Sequence, residues 1–283
     1  MKKWFKYISG IIIGIYLIWY LVNHWHQFKS LLQVSFYELA TIYFIVFLSQ
    51  ALRASIINKF VNGMNVSTRW SDIFLLLTSG QLLNYFPLKL GTVFRANYLK
   101  KKYGFIYSHY AALSLCFSLL VVINASFIGL LVILFVYGLK NQLFQIVSLL
   151  FLCTMAIASI LLFVPFSISV FGNKLLKVLS ILLEAKRDLS GKWRLFLVCS
   201  FLISARFILT ALRMQILYSS AGVDVNFGGY LILGALANIL TFVSVTPGGL
   251  GVREIVLAFS VGLFGVPFET GMLIAVIDRA IGL

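Results

Sequence analysis

Residues Tyr110 to Leu139 read YAALSLCFSLLVVINASFIGLLVILFVYGL and contain no Asp, Glu, Lys, Arg or Pro. At about 1.5 Å of rise per residue, a helix over this run exceeds the roughly 30 Å hydrocarbon core of a bilayer. Working outward, Tyr37 to Ile57, Gln142 to Phe166 and Arg194 to Tyr218 read as further spans. Met1-Lys-Lys-Trp-Phe-Lys opens an apolar run to Val22 with no small-residue cleavage site after it. That run predicts an uncleaved first spanning helix.

Composition says the same of the whole chain. Its 283 residues are 61% hydrophobic and 11% charged, with mean hydropathy +1.01. Soluble domains carry roughly 45–50% apolar and about 25% charged residues. A soluble enzyme, a disordered tail and a secreted disulfide scaffold are excluded. The strands of an outer-membrane barrel would alternate apolar and polar residues, and these runs do not. The expectation is an all-α, polytopic helical membrane protein forming one transmembrane domain over 1–283.

The net charge of +15 comes from 23 Lys/Arg against 8 Asp/Glu. In this composition it reads as the positive-inside rule and contact with anionic lipid, not as nucleic-acid binding. A cytoplasmic N-terminus gathers Lys2, Lys3, Lys6, Lys59, Arg69, Lys89, Arg95, Lys100 to Lys102, Lys174, Lys177, Lys186, Arg187, Lys192 and Arg194 on one side. Only Lys29 and Lys140 then fall in outside loops. The expected location is the plasma membrane, multi-pass, with the N-terminus cytoplasmic. Trp4, Trp19, Trp25, Trp70 and Trp193 fall near helix ends, as an aromatic belt places them. Cys116, Cys153 and Cys199 stand alone in apolar runs, and His24 and His26 flank Trp25 without a third ligand. No metal site and no cofactor are expected.

Two apolar segments are too short to cross. Ile73 to Phe86 stops at Pro87, and Tyr230 to Val245 stops at Thr246-Pro247-Gly248-Gly249. Ile255 to Val266 reads as a short span. Gly271 to Leu283 begins a last helix of 13 residues, expected to be truncated. The stretch 172–192, with Lys174, Lys177, Glu184 and Asp188 near one face, predicts an amphipathic helix lying on the membrane.

The broken segments echo one another. Pro87, Gly91 and Arg95 repeat the order Pro, Gly, Arg found at Pro247, Gly251 and Arg253. The chain thus divides into halves of about 1–140, with its break at 73–91, and 141–283, with its break at 230–251. By the charge-derived topology the breaks open to opposite sides, an arrangement resembling an inverted repeat. Interrupted segments at matching positions in two halves point to a site near the membrane midplane. Pro lacks an N–H and Gly adopts unusual dihedrals, so backbone groups freed there must find partners or line a wet cavity. Both segments could equally be ordinary loop turns, since Pro-Gly-Gly is a turn signal anywhere.

Charge within the apolar runs adds candidates. Arg206 sits mid-span, where Arg costs roughly 2.5–3.5 kcal/mol on insertion scales and so faces a cavity or a partner. Arg213 and Arg53 lie close enough to helix ends to snorkel. Arg213, Asp278 and Arg279 are candidates for a gate or an ion pair, with Glu254 or Asp278 meeting Arg206 or Arg279.

Thr246-Pro-Gly-Gly-Leu-Gly-Val-Arg-Glu254 closely resembles the signature of the lysylphosphatidylglycerol synthase transmembrane-domain family, also described as flippase-like. Pro87-x-Lys89-x-Gly91 followed by Arg95 resembles its first motif, and Asp278-Arg279 the start of its last. The resemblance covers nearly the whole chain. It implies a helical bundle with two re-entrant elements that moves a modified phospholipid between leaflets. Other relatives accompany polyprenyl-linked glycan or hopanoid pathways. Thr92 stands where the first motif commonly has Glu, and the Arg that often follows is absent near Cys116-Phe117-Ser118. The soluble aminoacyl-transferase domain of the full synthases is not in this sequence.

The leading expectation is a translocase for an anionic phospholipid or a polyprenyl-phosphate-linked head group. Asn84, Pro87, Lys89, Gly91, Arg95, Arg206, Pro247, Gly248, Gly249, Gly251, Arg253 and Glu254 would form a basic, Gly-lined groove. The alternative is a non-transporting partner of a separately encoded lipid-modifying enzyme or glycosyltransferase, and a homo-oligomer is open. A head-group transferase is disfavoured, because Glu254 and Asp278 have no His, metal set or Ser-His-Asp arrangement beside them.

Overall fold

A computed structural model describes residues 35–83, 90–164, 186, 191–243 and 251–282. The expected first span, Asn84, Pro87, Lys89, Pro247, Gly248, Gly249 and most of 172–192 lie outside the described residues.

Those residues hold nine helices and no strand. They are α1 (Phe36–Gly63), α2 (Trp70–Leu82), α3 (Leu90–Tyr103), α4 (Tyr107–Val132), α5 (Gln142–Phe163), α6 (Trp193–Ser220), α7 (Phe227–Val243), α8 (Val252–Ser260) and α9 (Phe268–Ile281). Local chemistry sets several ends. Ser35 and Glu38 cap α1 reciprocally: the Glu38 N–H donates to Ser35 Oγ at 3.3 Å and the Ser35 N–H to Glu38 Oε2 at 2.8 Å. Each bond satisfies a donor the helix cannot. Asn141 Oδ1 caps α5 by accepting from the Leu143 N–H at 2.9 Å. One π turn, Ile133–Tyr137, extends α4 until Gly138 turns the chain at φ +71°.

Among the described residues, four helices are long and apolar enough to cross a membrane: α1, α4 with its π turn, α5 and α6. Their most apolar windows are only 22–44% buried inside the protein. Phe44, Phe47, Phe127, Ile146, Leu149 and Phe201 stand exposed on their outer faces. A surface this apolar, on helices that satisfy their own backbone, matches lipid as the solvent.

The spans agree with the sequence reading to within a few residues. The expected span Ile255 to Val266 does not form as one helix. α8 has nine residues, roughly 14 Å of helix, then tightens into a 3-10 turn, Val261–Phe264, and reverses at Gly265 with φ +74°.

The short helices pack as hairpins entering from opposite ends of the bundle. The beginning of α2 and the end of α3 meet through Asp72 and Lys102, 2.8 Å apart. Both lie beside the end of α1, where Trp70 Nε1 donates to Ser55 Oγ at 2.9 Å and Thr68 Oγ1 to Asn58 Oδ1 at 2.6 Å. Lys192 Nζ donates to the Gly63 carbonyl, so the start of α6 shares this end. At the opposite end, Phe264 of the α8–α9 turn packs on Tyr137, ring centroids 5.6 Å apart. Gly228 and Gly229, at the start of α7, also lie against the Val132–Tyr137 region. α7 therefore runs inward from that end and α8 runs back toward it.

Two apolar clusters fill the bundle. One joins α1 to α7 around Phe60, Leu113, Phe151 and Phe207, and the other joins α6 to α9 around Met214, Tyr218, Tyr230 and Leu257. Along α6 the change of cluster falls between Phe207 and Ala211. Arg206, Thr210 and Arg213 ride that same turn.

Candidate functional site

A cavity of about 550 Å³ lies between the helices, walled by residues of α1, α2, α4, α6, α7, α8 and α9, with Gly282. Five arginines line it: Arg53 from α1, Arg206 and Arg213 from α6, Arg253 from α8 and Arg279 from α9. On α6, Arg206, Thr210 and Arg213 follow the i, i+4, i+7 spacing that stacks side chains on one helix face. Val46, Gln50 and Arg53 do the same for α1.

Two buried carboxylates answer part of this charge. Asp278, 2% exposed, places Oδ1 2.8 Å from Arg213 Nε and Oδ2 2.8 Å from Arg253 Nη2. The Arg253 contact is a hydrogen bond, whereas the Arg213 contact is an ion pair lying off the N–H direction. Glu254, 1% exposed, accepts from Arg279 Nη1 with one oxygen and from the Gly251 N–H, at 2.8 Å, with the other. Gly251 holds φ +80°, a left-handed conformation that a side chain strains, and caps α8 there.

Arg53 and Arg206 differ from the other three. Among the described residues no carboxylate comes within salt-bridge distance of either. Both face the same cavity, on α1 and α6. Among the described residues the buried Arg206 Nε finds no acceptor.

A glutamine relay closes one side. Gln50 Nε2 donates to Gln81 Oε1 at 2.6 Å, and Gln81 Nε2 donates to the Gly282 carbonyl at 2.5 Å. Gln81 stands near the end of α2, so this short helix reaches the middle of α1. Gln50 Oε1, buried, accepts from no donor.

Arg206, Arg213, Arg253, Asp278 and Arg279 therefore converge on one cavity, with Glu254 bonded to Arg279 and to the Gly251 N–H behind them. Glu254 does pair with Arg279, but Arg206 joins neither carboxylate. Arg213 and Arg53 line the cavity and do not snorkel to a helix end; Arg213 is drawn in by Asp278. Arg95 also departs from expectation. It does not line the cavity but is buried beneath α2, with Nη2 3.5 Å from the Leu77 carbonyl and its side chain against Gly80. Gly91, buried in α3, is likewise not on the lining. Gln50, Gln81, Thr210 and Asn238 complete the lining without having been singled out from the sequence. For Gln50 and Thr210 the signal was there: each stands three or four residues from an arginine on its own helix.

At the end of the bundle, Asp72 accepts from Lys102 Nζ at 2.8 Å and from the Tyr103 hydroxyl. These two donors hold its carboxyl below the usual carboxylate range, and the same bond to Asp72 raises Lys102. Among the described residues, no group of three His, Cys, Asp or Glu could hold a metal ion.

The fold and the cavity define a polytopic helical membrane protein with an arginine-rich chamber at the meeting point of two short-helix hairpins. The chain belongs to the family described as the lysylphosphatidylglycerol synthase TM region, which matches residues 7–283. It is also similar to a UPF0104 membrane protein of Methanothermobacter thermautotrophicus, 34% identical over 74 residues. That stretch is 26% of this chain and spans only 22% of the relative's length. No solved structure matches.

Proposed function

We propose that the chain binds the anionic head group of a membrane lipid in this cavity and carries it between leaflets. The observation behind this reading is the convergence of five arginines on a space inside an apolar bundle. Burying even one arginine in a membrane is costly, so such residues mark a pathway for a charged group. The α2–α3 and α7–α8 hairpins act as re-entrant elements from opposite sides. The ends of α2 and α8 reach the chamber, where movement of either hairpin would open it to one leaflet. The cationic end, with Lys59, Arg69, Lys100 to Lys102, Lys192 and Arg194, faces the cytoplasm, and with the expected first span the N-terminus lies there too. The sequence has no nucleotide-binding motif, so transport runs downhill or is coupled to an ion.

The test uses proteoliposomes carrying a fluorescent phosphatidylglycerol, scored by the fraction quenched from outside. Redistribution above that of empty liposomes, lost in Arg206→Gln, is the expected result. Redistribution equal to the empty control for phosphatidylglycerol and phosphatidic acid alike would refute transport. Retained binding would then favour a lipid-holding partner of a separate enzyme.

A further inference from the structure

We infer that the chamber selects a head group carrying a doubly charged phosphate, a phosphomonoester or diphosphate, over singly charged phosphodiesters and over head groups bearing an amine. This rests on the anionic-head-group reading and narrows it.

The lining carries a net positive charge. Five arginines face Asp278 and the adjoining Glu254, which leaves three positive charges uncompensated among the described residues. Of the other acids in the sequence, Glu38 caps α1, Asp72 is held by Lys102, and Asp224 and Glu269 lie at the far end. Glu184 and Asp188 lie outside the described residues. Uncompensated charge in a low-dielectric interior is expensive, and a ligand relieves it in proportion to the charge it brings. A phosphodiester brings one. A phosphomonoester brings about 1.5 to 2 at neutral pH, with a second pKa near 6.

Few carboxylate oxygens are open to a cation. Asp278 is ion-paired with both Arg213 and Arg253, and its Oδ1, although it accepts no hydrogen bond, is buried. Both oxygens of Glu254 are occupied, by Arg279 and the Gly251 N–H. An ammonium entering the chamber would meet arginines and no available carboxylate. A lysyl ester or an ethanolamine is therefore repelled where a bare phosphate is held.

An anion would sit by Arg53 and Arg206. Both line the cavity, and among the described residues neither has a carboxylate within salt-bridge distance, so an anion beside them breaks no existing pair. The idle Nε of Arg206 supplies a directed donor, and an Arg guanidinium matches phosphate oxygens in geometry as well as charge. The two paired carboxylates fix Arg213, Arg253 and Arg279 as the opposite wall.

The test is equilibrium binding to the purified full chain in neutral detergent, using short-chain phosphatidic acid, phosphatidylglycerol and lysylphosphatidylglycerol. Phosphatidic acid should bind about tenfold or more tightly than phosphatidylglycerol above pH 7. The advantage should shrink as pH falls through about 6, where the monoester gains a proton. Lysylphosphatidylglycerol should bind weakest. Arg53→Gln with Arg206→Gln should erase the preference, and the wild-type pH titration probes the same preference without any variant. Equal binding of the two anionic lipids, both weakened by the double variant, would overturn the dianion preference while leaving the cavity as an anion site. Lysylphosphatidylglycerol binding as well as phosphatidic acid would overturn it as well. Binding indifferent to both arginines would overturn this inference and the proposed function together. Inorganic phosphate competing as strongly as phosphatidic acid at equal concentration would keep the dianion but overturn the lipid head group as its source.

Discussion

Asp278 is the residue on which the chamber's geometry depends most. One carboxylate holds arginines from two different helices, α6 and α8, at 2.8 Å each. Asp278→Asn leaves both guanidinium groups without their counter-charge, and removing one partner of a buried ion pair costs about 3–5 kcal/mol. A large drop in thermal stability in detergent is expected, whereas a loss under about 1 kcal/mol would mean that water already screens the pair. Replacing the whole triad, as Arg213→Met, Arg253→Met and Asp278→Leu, should recover much of the stability, because no charge is then stranded, while weakening anion binding by removing one wall of the chamber. Asp72 makes a contrasting case at the surface. Its carboxyl is held low by Lys102 and Tyr103, so its contribution is present above the unfolded pKa of about 3.9 and is lost as pH falls through the lower folded value. The stability gap between wild type and Asp72→Asn should be small, constant from about pH 6 to 8, and should close below about pH 4. A gap that widened on acidification would contradict the assignment. Arg206 and Asp278 could be read as site residues from the sequence because ionisable groups in apolar runs are costly. The pairing of Asp278 with Arg213 and Arg253 could not, since those residues come from three separate helices whose packing angles no local pattern encodes.

At the scale of elements, the long spans follow directly from apolar runs, and the ends of α1 and α5 from Ser35, Glu38 and Asn141. α8 was less legible. A nine-residue helix followed by a 3-10 turn shares its composition with a short span, and only Gly265 at φ +74° marks the reversal. Close helix approach is equally hidden in a sequence. Gly129 of α4 faces α5 so closely that a Cβ there would lie 2.3 Å from Phe151 Cε2, and the Phe151 ring is fully buried. Nearby polar groups hold the same pair together: Ser126 and Thr154 hydroxyls lie 2.8 Å apart, while Asn124 accepts from Ser200 of α6 at 2.7 Å. Without a hydrophobic drive in lipid, such small-residue contacts and hydrogen bonds bring spans together. Gly129→Ala should therefore destabilise by about 1–3 kcal/mol, with partial rescue by Phe151→Leu. Gly262→Ala, where nothing lies within 4 Å, should be near neutral in the same melting assay. Equal effects of the two substitutions would mean that α4 and α5 separate more easily than their packing suggests.

For the molecule as a whole, the chamber's meaning depends on which end of the bundle meets the cytoplasm. α4 and its π turn run 31 residues from Tyr107 to Tyr137, roughly 46 Å, with Lys100 to Lys102 just before and Lys140 just after. The two sites must therefore lie on opposite sides of the membrane. Lys59, Arg69, Lys192 and Arg194 join the first end through α1 and α6, whereas Glu38, Asp224 and Glu269 gather with Lys140 at the other. Cationic loops are retained in the cytoplasm, so the first end should face inward. In a background with Cys116, Cys153 and Cys199 replaced by Ala, Lys101→Cys should resist a membrane-impermeant maleimide in intact cells and react once the membrane is opened. Lys140→Cys should react from outside without opening. The reversed pattern would turn the bundle over, with the α2–α3 hairpin opening outward and the α7–α8 hairpin inward. The same cavity would then meet each leaflet through the other hairpin, so the labelling fixes the direction in which any transport assay has to be read.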